Sequence, residues 1–316
     1  MRYSGTLMCL SSGAAFGASA VFGKLAYDAG ATVGTLLSVR FALAAALFWA
    51  LVVASGAGRE ARTLGRRGLG LGMLLGGGVY TVQAGCFFAA LERIDASLLS
   101  LLLYTFPAIV AAAAVALGRE RLDRRRVAAL GLASAGLLLV LAGAGIGALD
   151  PMGVALGLGA AVVYSGYILV SDAFAGSIRP QVLAAVVCSG AAVSLTAGSA
   201  ALGELRPGEL TIAGWGWLAC LAVVSTVAAI GLLLAGLRRV GPTSASVLAT
   251  VEPLVTVLLA FLVFGETLGA LELVGGALVL AAVLVLCAPR PRAPSVAGRG
   301  ARPRLGYGPT TGGGPV

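Results

Sequence analysis

Runs of about 20 apolar residues follow one another along nearly the whole chain, separated by short segments where charge, glycine and proline collect. The runs do not alternate polar with apolar residues, as the strands of a membrane barrel would. Each is long enough to cross about 30 Å of hydrocarbon as a helix rising 1.5 Å per residue. The pattern predicts helical spans at 6–26, 33–54, 68–90, 96–117, 127–144, 152–172, 180–202, 213–236, 243–264 and 270–288. Asp150-Pro151 separates the fifth span from the sixth, giving halves at 6–144 and 152–288. Beyond them, residues 289–316 are rich in Pro, Gly and Arg and are expected to form a disordered cytoplasmic tail. Met1–Tyr27 is basic and then apolar, like a signal peptide, but its apolar part is too long for one and reads as a retained first helix.

The two halves carry a faint repeat. Residues 91–107, LERIDASLLSLLLYTFP, align without a gap on 237–253, LRRVGPTSASVLATVEP, at an offset of 253 − 107 = 146. Leu91/Leu237, Arg93/Arg239, Ser100/Ser246, Leu102/Leu248 and Pro107/Pro253 are identical, and the same offset later pairs Glu120 with Glu266 and Leu122 with Leu268. Both copies place a proline deep in an apolar run, which is the best sequence pointer to a transporter's binding site. Five spans per half oblige the second copy to enter the membrane from the opposite side. The expected fold is an all-α integral membrane protein of ten transmembrane helices in two inverted five-helix repeats.

Charge supports that orientation. Segments 55–67 and 118–126 are rich in arginine, whereas their partners 203–209 and 265–272 are mainly acidic. With both termini cytoplasmic, only Lys24, Arg40, Arg93 and Arg206 of the 22 lysines and arginines lie elsewhere than the inner side, leaving 22 − 4 = 18 inside. The net charge of +9 then reports membrane sidedness rather than nucleic-acid binding. Composition agrees: 59% of residues are hydrophobic and 11% charged, against roughly 25% charged in soluble domains. The chain has no histidine, which removes His-based zinc sites and Ser-His-Asp triads. Its five cysteines fall singly in apolar runs, and no cofactor or metal is expected. Gly68-Leu69-Gly70-Leu71-Gly72 lacks the preceding strand of a dinucleotide loop. The pairs Gly13/Gly17, Gly72/Gly76 and Gly153/Gly157 are expected to mark close helix contacts within one chain.

A few polar residues interrupt the spans. Glu252 lies about 15 Å into the ninth span, near the midplane, where a carboxylate costs roughly 2.5–3.5 kcal/mol and should face a cavity or a partner. The adjoining Pro253 has no N–H and frees the carbonyl of Ala249, four residues back. A carboxylate beside loosened backbone suits a substrate amine, a cation, or a proton as coupling ion. Phe106 and Pro107 form the symmetric kink, with Phe106 as an apolar wall. Arg40 sits about 10 Å below the outer surface, either as a site residue or snorkelling outward. Tyr80, Gln83, Tyr104, Tyr164 and Ser225 are further cavity candidates, with Tyr167 and Thr226 beside them. Lys24 and Asp172, near span ends, read as interfacial anchors, and Trp49, Trp215 and Trp217 as belt residues.

With these residues in view, the chain resembles the EamA-type permeases of the drug/metabolite transporter superfamily over about 6–288. The resemblance rests on the two five-helix halves, Pro107…Gly118-Arg119-Glu120, Pro253…Gly265-Glu266, Val251-Glu252-Pro253 and Arg40. It departs in the first half, where Arg119 stands between Gly and Glu and no carboxylate adjoins Pro107. The resemblance implies alternating access, with helices one to four and six to nine around a central cavity and helices five and ten peripheral. Glu120 and Glu266 match positions of the family and are read as structural, each serving the N-terminus of the following helix.

The expected function is secondary transport across the inner (plasma) membrane, exporting a small metabolite such as an amino acid or related amphipathic compound. A non-transporting structural or sensory membrane protein is the competing class, and a membrane-embedded enzyme a weaker one, since Asp123 and Asp150 stand apart. The expected partners are the lipid bilayer and a small-molecule substrate, with a homodimer as a candidate assembly.

Overall fold

The computed structural model describes residues 2–59, 65–118, 123–143, 149–174, 179–240 and 248–287. Every apolar run is helical over most of its described residues. The helices are α1 Arg2–Asp28, α2 Val33–Ala54, α3 Gly65–Leu74, α4 Thr81–Leu91, α5 Ala96–Leu103, α6 Phe106–Ala116 and α7 Arg124–Gly143. They continue as α8 Pro151–Phe174, α9 Pro180–Ala201, α10 Ile212–Ala222, α11 Ala229–Val240, α12 Val251–Phe264 and α13 Ala270–Cys287. Among the described residues six helical stretches, some of them distorted, are long and apolar enough to cross a membrane, and 127–143, 151–167, 251–264 and 270–286 are shorter apolar helices. The expected tail at 289–316 and Glu120 lie outside the described residues, as does the side chain of Asp172.

Local chemistry sets the helix ends. Thr32 caps α2 by accepting from the Thr35 amide at 3.1 Å, and Thr211 caps α10 by accepting from Gly214 at 3.2 Å. Gly265 ends α12 in the left-handed region at φ 68°. Four distortions fall inside the spans. A π turn, Leu75–Tyr80, joins α3 to α4, and another, Val223–Ala228, joins α10 to α11. The fourth span breaks at Tyr104-Thr105, between α5 and α6, and the ninth turns at Thr250 just before α12. The breaks precede Pro107 and Pro253, and Tyr104 and Thr250 stand 250 − 104 = 146 residues apart, the offset of the sequence repeat.

Packing crosses between the halves. The first helix lies against α10, α11 and α12, while α8 lies against α4, α5 and α6. Likewise α2 pairs with α9, and α7 with α13. Glycine allows these approaches: a Cβ at Gly17 would come within 2.6 Å of the Glu252 carbonyl, and one at Gly136 within 2.6 Å of the Gly275 carbonyl. Gly72 and Gly76 face Val186 and Val187 of α9, and Gly153 and Gly157 face Ile94 and Leu102. All three glycine pairs noted in the sequence therefore sit in contacts inside the monomer.

Candidate functional site

The breaks in the fourth and ninth spans meet through Tyr104 and Ala249. Because Pro253 cannot donate, Ala249 loses its helical partner, and Tyr104 supplies the missing donor from across the interface. The Tyr104 Oη lies 2.7 Å from the Ala249 carbonyl oxygen and 3.0 Å from Glu252 Oε2. Thr256, one turn beyond, donates to the carbonyls of Gly17 at 2.9 Å and Glu252 at 3.2 Å, fixing the start of α12 against α1.

A cavity of about 230 Å³ opens beside this contact. Its wall includes Glu252 of α12, Arg40 of α2, Tyr80 at the end of the first π turn, Gln83 of α4, Tyr104 and Phe106 flanking the break, and Tyr164 of α8. One face comes from α1, through Cys9, Ser12, Gly13, Phe16, Ser19 and Ala20. The aromatic rings touch in series: Tyr104 to Phe106 at 5.8 Å, Phe106 to Tyr164 at 4.8 Å, Tyr164 to Tyr167 at 6.2 Å, and Tyr167 to Tyr80 at 5.2 Å between centroids. Pro107 and Pro253 are not on the wall; they lie in the first turns of α6 and α12 and set the breaks that present their neighbours.

Arg40 points inward and does not snorkel toward a surface. It is 6% exposed, its guanidinium carbon sits 5.3 and 5.2 Å from the ring centroids of Phe41 and Phe88, and its Nε donates to Thr226 Oγ1 at 3.0 Å. Thr226 in turn donates to the Leu221 carbonyl five residues back, at 3.0 Å, so the π turn aims its hydroxyl at Arg40. Among the described residues no carboxylate pairs with Arg40. Ser225, the neighbouring candidate, is fully buried in the same turn without a partner for its Oγ and does not line the cavity. The wide turn gives the inward position to Thr226 instead.

Sequence reasoning passed over the α1 face, Phe87, Phe88 and Thr256. Gly13 and Gly17 were the available signal for α1, because a glycine-lined face lets it approach the broken helix closely. Phe87 and Phe88 carry no signal within an apolar run.

One end of the molecule is held by ion pairs. Lys24, expected as a membrane anchor, instead meets Glu266 Oε1 at 2.6 Å and Asp95 at 3.4 Å. Glu266 also accepts from the amides of Ala96 at 3.2 Å and Ser97 at 3.0 Å, and from Ser97 Oγ at 2.8 Å. It caps α5 in the other half rather than the helix that follows it. Glu272 takes that second role, accepting from the Gly269 amide at 2.7 Å. Burial alone would raise the Glu266 carboxyl, but Lys24 and Ser97 outweigh it and hold the group below the usual carboxylate range. Arg93 meets Asp150 at 3.0 Å, and Thr32 and Thr35 bond the Glu204 carbonyl. Trp49, expected as a belt residue, donates from Nε1 to Ser189 at 3.0 Å and so ties α2 to α9.

Comparison with known proteins follows the same division of the chain. The model of the EamA-like transporter family matches residues 3–142 and again 151–288. The uncharacterized transporter YcbK of Bacillus subtilis (strain 168) is 27% identical over 286 residues, covering 86% of this chain and 89% of its own length. An uncharacterized transporter of Archaeoglobus fulgidus is 30% identical over 213 residues, covering 67% of this chain and 75% of its own. A solved structure titled "Crystal structure of protein" superposes with TM-score 0.63 at 20% identity, over 90% of this chain and 97% of that one. That last likeness concerns the fold alone.

Proposed function

This chain belongs to the EamA-like transporter family, and we propose that it is a secondary carrier of the cell membrane exporting a small zwitterionic or cationic amphipathic metabolite, of which amino acids are the nearest class. That it is a multi-pass membrane transporter follows from the family match and its apolar helices. The observation that carries the finer reading is the presence of Glu252 and Arg40 on one cavity wall without an ion pair between them. Two opposite charges below hydrocarbon would ordinarily neutralise each other. Kept apart, they suit a substrate whose ammonium meets Glu252 and whose carboxylate meets Arg40. The tyrosines and Phe106 would hold its apolar body. A volume of about 230 Å³ is just below the range of roughly 300–1,000 Å³ for drug-sized sites, which favours a metabolite of amino-acid size.

The exchanged packing between halves, the matched breaks and the matched π turns support two inverted repeats of five spans. In that arrangement Lys24, Glu266, Arg93 and Asp150 form the closed outer gate, with the termini cytoplasmic. Alternating access would open that end while closing the other. Glu252 would bind proton and substrate in turn.

The test is efflux from proteoliposomes loaded with a mixture of amino acids and amines, read by mass spectrometry. Flux of at least one zwitterionic or cationic compound is expected. Glu252→Gln should lower it about tenfold or more at unchanged protein yield, as expected for losing one partner of a buried charge contact. Wild-type flux in that variant would remove Glu252 from the site.

A further inference from the structure

Tyr104 has one hydroxyl hydrogen and two acceptors competing for it. The Ala249 carbonyl can only accept, and so can an ionised Glu252 carboxylate. Both contacts, at 2.7 and 3.0 Å, lie within hydrogen-bond distance. Both can be full, unshared hydrogen bonds in only one way: Tyr104 donates to Ala249, and a protonated Glu252 donates to the Tyr104 oxygen. The shorter distance lies on the Ala249 side.

We propose that Tyr104 is a proton-reading positioning residue, which couples the protonation of Glu252 to the stability of the helix break at Thr250. When Glu252 carries its proton, the hydroxyl serves Ala249 and the break is fully bonded. When the proton leaves to water in the cavity, the carboxylate draws the single hydroxyl hydrogen to itself, because a bond to a charged acceptor is the stronger one. The Ala249 carbonyl is then left without a donor, since Pro253 cannot provide one. Ionisation therefore loosens the start of α12, which rests on the glycine face of α1 through Gly13, Gly17 and the Thr256 bond.

The surroundings leave Glu252 as the group that changes charge. From α1 the cavity receives Cys9, Ser12 and Ser19 but no charged side chain, and Lys24 at the far end of α1 is engaged by Glu266 and Asp95. From the other elements come the phenols Tyr80, Tyr104 and Tyr164, and Arg40, which holds its charge throughout the physiological range. The proposal deepens the carrier reading by giving its proton a structural consequence, but its test needs no substrate. Failure of flux and failure of this switch can thus be told apart.

The experiment is hydrogen exchange by mass spectrometry on the full-length protein in detergent, following peptides over 248–260 from about pH 5 to about pH 9, corrected for intrinsic rates. Wild type should show a step, with amide protection falling about tenfold as Glu252 ionises. Glu252→Gln can donate to Tyr104 at every pH and should remain protected with no step. Tyr104→Phe should exchange quickly at every pH, also with no step. A step that survives in Glu252→Gln, or a wild-type profile flat across the range, would overturn the proposal even if Tyr104→Phe fails to fold.

Discussion

Arg40 lies among Phe41, Phe88 and Tyr80 and donates to a neutral acceptor, Thr226, with no carboxylate partner among the described residues. An uncompensated buried charge destabilises a fold, because its desolvation penalty is not repaid by a partner, and an apolar side chain of similar size carries no such penalty. Arg40→Met should therefore keep or raise the thermal midpoint while abolishing flux. A fall in midpoint with flux retained would make Arg40 a strut. Glu266 behaves in the opposite sense, because its folded-state pKa is depressed by Lys24 and Ser97. A depressed carboxylate contributes stability that is complete above its unfolded value, roughly 4.3, and is lost as pH falls through the folded value. Glu266→Gln should thus cost about 1–3 kcal/mol near neutral pH and progressively less on acidification. An equal loss at all pH values, measured by thermal unfolding in detergent, would show that the charge is irrelevant. Glu252 and Arg40 could be read from the sequence because charge is rare within apolar runs. Phe88 could not, since the ring that faces Arg40 looks like any other lipid-phase phenylalanine.

Elements divide in the same way. The breaks before Pro107 and Pro253 were legible because proline removes a donor at a fixed position, and Ala249 is the carbonyl that results. The π turns were not legible: LGGGVY and VVSTVA differ in no obvious way from the helices around them. Their consequence is large, since one carries Tyr80 to the cavity and the other aims Thr226 at Arg40. The first π turn also holds Gly76 against the Val187 backbone, where a Cβ would collide with the carbonyl. Gly76→Val should push α9 away and cost about 1–3 kcal/mol, as overpacking does elsewhere. Gly85→Ala is the control, with nothing within 4 Å of the added carbon and an ordinary helical backbone. Thermal unfolding of the pair checks this, and equal midpoints would mean that the helices simply part without strain.

At the scale of the molecule, the loops that charge assigns to the outer side touch one another at one end. Lys24 at the end of α1 reaches Asp95 and Glu266, Arg93 reaches Asp150, and the 202–211 segment bonds the turn after α1 through Thr211 and Ala29. Those contacts call for an even number of crossings between each pair of loops, which the proposed ten alternating spans would provide. On the proposed ten-span topology the arginine-rich segments 55–67 and 118–126 belong to the opposite side. The expectation of two halves rests on charge asymmetry and span parity more than on the weak repeat, because both constrain topology even where few residues are identical. The cavity wall, by contrast, is drawn from α1, α2, α4, α5, α6, α8, α11 and α12 together, and no local pattern announces a wall built from both halves. Sidedness is directly measurable. On a background with all five cysteines replaced, Arg62→Cys and Arg206→Cys should react with an impermeant maleimide from opposite faces of oriented vesicles, Arg206→Cys from outside. Reaction of both from one face would leave the helix contacts intact but break the link between charge and orientation on which the inverted arrangement, the outer gate and the direction of export all depend.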